Sequence, residues 1–164
     1  MFEIKKLLNT DYNLGVKLEY LVESDYKYKI TGTEQDIDYF SKTNQQINFE
    51  YLKDNFYGKE IELNLSGIKI NGKVELPIDK YLKELSTINN KVKILIEKSG
   101  EPIKILNFDD LRKEWVSKKV ELTNKYFTDN TMLSLIELTD LGYKNDISFK
   151  QNFFNNLVCK LLFF

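Results

Sequence analysis

Histidine does not occur in this sequence, and cysteine and tryptophan occur once each. Without histidine the chain has no side chain whose ordinary pKa lies in the physiological range, and it lacks the commonest transition-metal ligand. Ser-His-Asp and Cys-His nucleophile chemistry, histidine-containing zinc sites and histidine proton shuttles are therefore excluded. The lone Cys159 removes intramolecular disulfides, four-thiolate zinc sites and iron–sulfur clusters as well. Its neighbours Leu157, Val158, Leu161 and Leu162 fit a buried structural thiol better than a reactive one, and the missing disulfides fit a reducing compartment. Any catalysis would have to run on carboxylates, Lys, Tyr or Ser.

An excess of either charge is also missing: 24 basic residues face 25 acidic ones, for a net charge of −1. No surplus of cations is available to neutralise a phosphate backbone, so nucleic acid is not expected as a partner. No window reaches the ~18 consecutive apolar residues of a membrane span. Met1 to Asn13 carries Lys5 and Lys6, but it meets Asp11, Tyr12 and Asn13 where a secretory leader needs an apolar stretch. A cytoplasmic location is the expectation, with secretion open if a leader had been removed. The seven glycines stand singly, so neither a Gly-x-Gly-x-x-Gly fingerprint nor a Walker loop exists. There is no repeat, low-complexity tract or linker, and residues 1–164 are expected to form one domain.

What remains is ordinary globular material of 164 residues, 42% hydrophobic and 30% charged. A domain of this size buries roughly 70% of the surface its unfolded chain exposes, so it needs no disulfide or metal staple. The aromatic content of 13%, mostly Tyr and Phe, favours pleated, half-buried surfaces and predicts substantial strand.

From Val16 to Thr31 apolar and polar residues largely alternate, predicting two strands with a turn at Ser24-Asp25 and an end near Gly32. Ile37 to Phe40 reads as a third short strand, and the polar run Ser41 to Gln46 as a loop. Phe49, Leu52 and Phe56 stand at helical spacing and predict a helix over Ile47 to Tyr57. Ile61 to Leu65 alternates cleanly. Asn71-Gly72 predicts a hairpin over Ile68 to Leu76, because both residues tolerate positive φ. Pro77 stops the returning strand, and Ile78, Tyr81, Leu82, Leu85 and Ile88 make one stripe of a short helix. A second hairpin is predicted from Val92–Glu97 and Pro102–Leu106 around Lys98-Ser99-Gly100. Asn107 is placed as an N-cap, with Asp109 and Asp110 in the first turn of an amphipathic helix carrying Phe108, Leu111, Trp115, Leu122 and Tyr126. Thr128-Asp129-Asn130 caps the next helix, with Met132, Leu135, Ile136 and Leu138, and Gly142 ends it as a C′ residue. From Ile147 the chain carries Phe149, Phe153, Phe154, Phe163 and Phe164 among leucines, a segment for the core or for a partner.

Candidate chemistry is sparse. Asp36-Ile37-Asp38 puts two carboxylates two apart on a strand, a spacing able to hold a divalent cation but read more simply as a solvated strand face. Asp109, Asp110 and Glu114 could be read as an acid/base cluster, but helix capping explains the two aspartates more simply. Lysines alternate with tyrosines at Tyr26-Lys27-Tyr28-Lys29, which in a half-buried strand puts the tyrosines on one face and the lysines on the other, unlike a single-strand nucleic-acid platform. No catalytic, cofactor or metal residue is assigned, and no cofactor is expected.

The run Gly100-Glu101-Pro102-Ile103-Lys104-Ile105-Leu106-Asn107, leading into Leu111-Arg112-Lys113-Glu114-Trp115, resembles a strand-turn-strand-helix pattern in uncharacterised proteins of Bacteroidota. There a Gly-x-x-Ile-x-Ile-x-Asn run feeds a helix with a central Trp, and the Asn, Lys and Ile bias resembles that of such low-GC genomes. The resemblance implies a bacterial source and no particular activity.

The fold class expected is α+β. A meander-like antiparallel sheet spans residues 16–106, with intervening helices, and a helical block at 107–164 packs on it. The function expected is a non-enzymatic protein-interaction module, of the accessory or immunity type. Its partner is another protein or further copies of itself, with Phe153, Phe154, Phe163 and Phe164 as candidate interface residues. A carrier holding a small apolar ligand between sheet and helices is the alternative.

Overall fold

The computed structural model describes residues 15, 17–30, 37–66, 69–72, 77–88 and 90–155. In chain order these form β1 (Lys17–Ile30), β2 (Ile37–Asn55), β3 (Gly58–Leu65), β4 (Lys69–Gly72), α1 (Pro77–Leu85), β5 (Lys91–Ile96), β6 (Pro102–Ile105), α2 (Phe108–Lys125), α3 (Asn130–Gly142) and α4 (Asp146–Asn155). The strands make one antiparallel sheet in the order β1-β2-β3-β5-β6, with β4 paired to β2. The architecture is α+β, with the sheet in the N-terminal part and most of the helix C-terminal to it.

The sheet works because apolar positions of successive strands fall opposite one another. Tyr51 pairs with Ile61, Ile61 with Ile94 and Ile94 with Ile105; one rung along, Phe49 pairs with Leu63 and Leu63 with Val92. All seven are buried and share a single core with Trp115, Leu122, Met132 and Ile136 of the helices. Alternate residues face the other way, and that face is a polar grid. Lys17 pairs with Glu50 at 3.3 Å and Lys91 with Glu62 at 3.1 Å, while Asn64 donates to Glu62 at 3.2 Å. Lys91 from β5 and Asn64 from the same strand are what let Glu62 sit buried.

Three expectations are corrected along β1 and β2. The helix expected over 47–57 is strand to Asn55 and then turn: Ile47, Phe49 and Tyr51 are buried, whereas Asn48 between them is exposed. Beyond Tyr51 the register slips by one residue, so that Lys53 and not Leu52 pairs with Glu60. This bulge resets the alternation and makes Phe49, Leu52 and Phe56 mimic a helical period. The loop at 41–46 is also strand, paired with β1 on one side, while on the other Ser41–Asn44 pair with β4 and Gln46 bonds Ser66. No turn occurs at Ser24-Asp25. Both residues stay in the ladder opposite Thr43 and Lys42, with Asp25 and Lys42 at 3.9 Å. Local polarity marks a loop only when no neighbouring strand offers partners.

Asn71 and Gly72 lie within β4, opposite Lys42 and Ser41, and the returning strand expected after them falls outside the described residues. Pro77 opens α1, where its missing N–H costs nothing. The hairpin β5–β6 and helix α2 follow the sequence reading, as does the cap of α3: the Asp129 carboxylate accepts from the amides of Thr131 and Met132. Asn107 stands at the N-cap of α2 but does not cap it. Its side chain accepts from Lys93 N at 2.8 Å and donates to the Lys91 carbonyl at 2.8 Å, prolonging the β5–β6 ladder. Gly142 is the last residue of α3, not a left-handed C′ residue. A Cβ there would stand 2.9 Å from Asn152 Nδ2, so glycine serves the close approach of α4.

An aromatic chain joins the helical elements. Trp115 of α2 stacks on Tyr143 at 5.2 Å, Tyr143 meets Phe149 of α4 at 4.9 Å, and Phe149 meets Phe153 at 5.8 Å. Trp115 Nε1 donates to Asp140 at 2.9 Å, and Lys119 binds the other oxygen of that carboxylate at 2.7 Å. Lys119 first, and then Trp115, hold the Asp140 carboxyl below its ordinary pKa. Between α1 and α2, Glu84 bridges Lys125 and Lys118; the Lys125 bond is the main reason its carboxyl is also lowered.

Candidate functional site

Strand β2 ends at Asn55 and β3 begins at Gly58, and these two residues are the last pair of their ladder. Phe56 and Tyr57 alone make the turn. Two-residue hairpin turns favour Asn-Gly or Asp-Gly, whose backbones accept positive φ cheaply. Here both positions carry large rings, Phe56 92% and Tyr57 71% exposed, in edge-to-face contact at 5.2 Å. Single exposed apolar residues are ordinary on protein surfaces, but two adjacent rings at the apex of a braced turn form a projecting patch.

The support beneath the rings is firm. Asn55 accepts from Tyr57 N at 3.2 Å and donates to Glu60 at 3.0 Å, and Glu60 also pairs with Lys53 at 3.3 Å. The Tyr51 hydroxyl donates to Asp54 at 2.7 Å, and Lys59 Nζ stands 5.0 Å from the centre of the Tyr51 ring. Burial first, and then the Asp54 carboxylate, push the Tyr51 phenol well above its usual range, so it remains a donor. Gly58 sits against the backbone of β5, where a Cβ would come within 1.9 Å of the Ile96 carbonyl oxygen. No other residue fits, and the hairpin is thereby clamped to the centre of the sheet. The result is an aromatic pair flanked by Lys53, Asp54 and Lys59 on a braced backbone, which lowers the backbone entropy to be lost on binding.

A second concavity lies between helices. Tyr81, Leu82 and Leu85 of α1, Leu135 and Leu138 of α3, and Phe149 and Phe153 of α4 line a groove of about 450 Å³. Its polar groups are Thr139, Asn152 and the Tyr81 hydroxyl, which donates to Thr139; Thr139 in turn donates to the Leu135 carbonyl at 3.0 Å. Burial raises the Tyr81 phenol above its usual pKa, partly offset by Thr139. No carboxylate lines this groove among the described residues. It has the chemistry of an apolar seat with one hydrogen-bonding rim.

The residues singled out in the sequence disperse. Phe153 and Phe154 are buried beside Phe149 in the core, while Phe163, Phe164 and Cys159 lie outside the described residues, as does Asp36. Asp38 stands in β2 opposite Lys29. Asp109, Asp110 and Glu114 are exposed along α2, and Asp110 pairs with Lys113 at 3.7 Å. Among the described residues no three His, Cys, Asp or Glu side chains gather in a way that could hold a metal ion, and no helix is long and apolar enough to cross a membrane.

The sequence disguises the Phe56-Tyr57 tip because Phe56 stands at helical spacing with Phe49 and Leu52. A signal was present: a two-residue aromatic gap followed by Gly58, between the alternating segments Ile47–Tyr51 and Ile61–Leu65. No protein-family model, curated protein or solved structure matches the chain.

Proposed function

We propose that this protein is a non-enzymatic interaction module that engages a protein partner through the Phe56-Tyr57 tip of the β2–β3 hairpin. The observation that carries this reading is the near-complete exposure of two adjacent rings on a turn whose backbone is fixed by Gly58 and Asn55. Exposed aromatic area on a rigid support is the composition of an interface hot spot, because it buries much apolar surface for little entropy. The surrounding Lys53, Asp54 and Lys59 supply a polar rim of both signs, matched to a protein surface better than to a polyanion.

The test is affinity capture from native cell extract, comparing the wild-type chain with a Phe56→Ser/Tyr57→Ser variant and identifying both proteins and small molecules by mass spectrometry. A protein recovered at fixed stoichiometry with the wild type and lost with the variant supports the reading. A protein retained by the variant, or a metabolite recovered without any protein, overturns it.

The helical groove supports a second reading, a carrier of a small apolar ligand, since about 450 Å³ lined mainly by Leu and Phe would hold one. Native mass spectrometry separates the two readings. A carrier retains a bound apolar mass that Leu135→Trp, by filling the groove, expels, and the serine variant of the tip leaves that mass in place.

A further inference from the structure

The strands at the two ends of the β1-β2-β3-β5-β6 order are treated very differently. At one edge β6 is four residues long, begins with Pro102, and is overlaid by α4, whose Lys150 donates to the Ile103 carbonyl at 2.7 Å. Short length, proline and a covering element are the usual devices that stop an edge from pairing with another chain. The other edge is β1. It runs for 14 residues without proline, glycine or a break in its register with β2, and among the described residues β2 is the one strand paired with it. Leu21 on this strand is 66% exposed.

The residues of β1 are also arranged as a near-palindrome about Ser24. Leu18 mirrors Ile30, Tyr20 mirrors Tyr28, Val22 mirrors Tyr26, and Glu19 mirrors Lys29 with the charge reversed. We propose that the outer edge of β1 pairs with β1 of a second copy, antiparallel about a two-fold axis at Ser24, so that two sheets join into one.

In that register the apolar and aromatic positions Leu18, Tyr20 and Val22 of each copy stand opposite Ile30, Tyr28 and Tyr26 of the other. Glu19 stands opposite Lys29 twice, once on each side of the axis, and Leu21 opposite Lys27. Such directly opposed aromatic, aliphatic and opposite-charge pairs are what stabilise antiparallel ladders. The like-charged pair, Glu23 with Asp25, falls next to the axis, where Lys42 already lies 3.9 Å from Asp25. The contact is isologous, so it closes on a dimer and leaves no new edge at β1. It uses neither the Phe56-Tyr57 tip nor the helical groove and stands independently of both.

Sedimentation equilibrium of the full chain tests it. The wild type is expected to be a dimer at micromolar concentration. Glu19→Lys and Lys29→Glu, each placing like charges opposite one another at two symmetric positions, are each expected to raise the dimer dissociation constant about tenfold or more at low salt. The Glu19→Lys/Lys29→Glu double variant is expected to dimerise like the wild type, and an equimolar mixture of the two single variants to form the heterodimer. Circular dichroism of the single variants distinguishes a lost contact from a lost fold, as does their recovery on mixing. A monomeric wild type overturns the proposal, as does a dimer indifferent to the single reversals, or a pair of weakened variants that fail to restore each other.

Discussion

Aromatic residues occupy two opposite situations in this molecule. Trp115, Tyr143, Phe149 and Phe153 form a chain of ring contacts in the interior, reaching from α2 through the end of α3 into α4. Phe56 and Tyr57 are in ring contact too, but outside the core, Phe56 almost wholly and Tyr57 mostly in water. The chemistry of the side chains is the same, and what separates the two groups is the backbone that carries them. Interior rings stand on helical faces that neighbouring elements cover, whereas the outer pair is forced outward because Gly58 and Asn55 close a turn with no room for a longer loop. The first group contributes stability by burial, and the second, lying outside the core, contributes little.

The sharpest way to break this contrast is to remove a ring from each group. Trp115→Ala deletes the largest fully buried side chain and leaves Asp140 without its indole donor, so unfolding in urea is expected to show a loss of about 3–5 kcal/mol. Gly58→Ala attacks the support of the outer pair. With a Cβ directed into the Ile96 carbonyl, the hairpin must shift, and a loss of about 2 kcal/mol is expected, together with weakened partner capture even though both rings remain.

Acidification probes the interior from another side. Glu84 and Asp140 are held below their ordinary carboxyl pKa, so the folded chain binds fewer protons at these sites than the unfolded chain does. The stability they add is present above the ordinary carboxylate range and is lost as the pH falls through that range towards their depressed folded values. Urea midpoints followed from about pH 6 down to about pH 3 are expected to fall, and to fall less steeply in a Glu84→Gln/Asp140→Asn variant. The smallest stability effect belongs to Phe56→Ser/Tyr57→Ser, within about 0.5 kcal/mol of wild type in the same assay, because both rings are largely exposed and little apolar area is lost with them. A large loss there would show that the tip is structural and would remove the contrast.

Much of the fold was legible where one period dominated. The alternation of β3, β5 and β6 and the stripe of Phe108, Leu111, Trp115 and Leu122 in α2 each leave a single element consistent with burial. At β2 the sequence was misleading for a physical reason. The bulge at Leu52 inserts one residue into a period of two, and the sum imitates a period between three and four. The candidate site was hidden by the same bulge, since Phe56 could be recognised as a turn residue only after Ile47, Phe49 and Tyr51 were seen to be strand.

By itself the sequence determined the fold class, the catalytic and metal chemistries excluded by the missing histidine and the single cysteine, and the local signals that need no distant partner, such as the Asp129 cap. Tertiary structure alone decided that the polar run Ser41–Gln46 is strand, that Asn107 bonds β5 instead of capping α2, that Gly142 makes room for Asn152, and that Phe56 and Tyr57 face water. Each of these depends on a residue far along the chain supplying or denying a partner, and hydrogen bonds and burial are satisfied in space, not in sequence order.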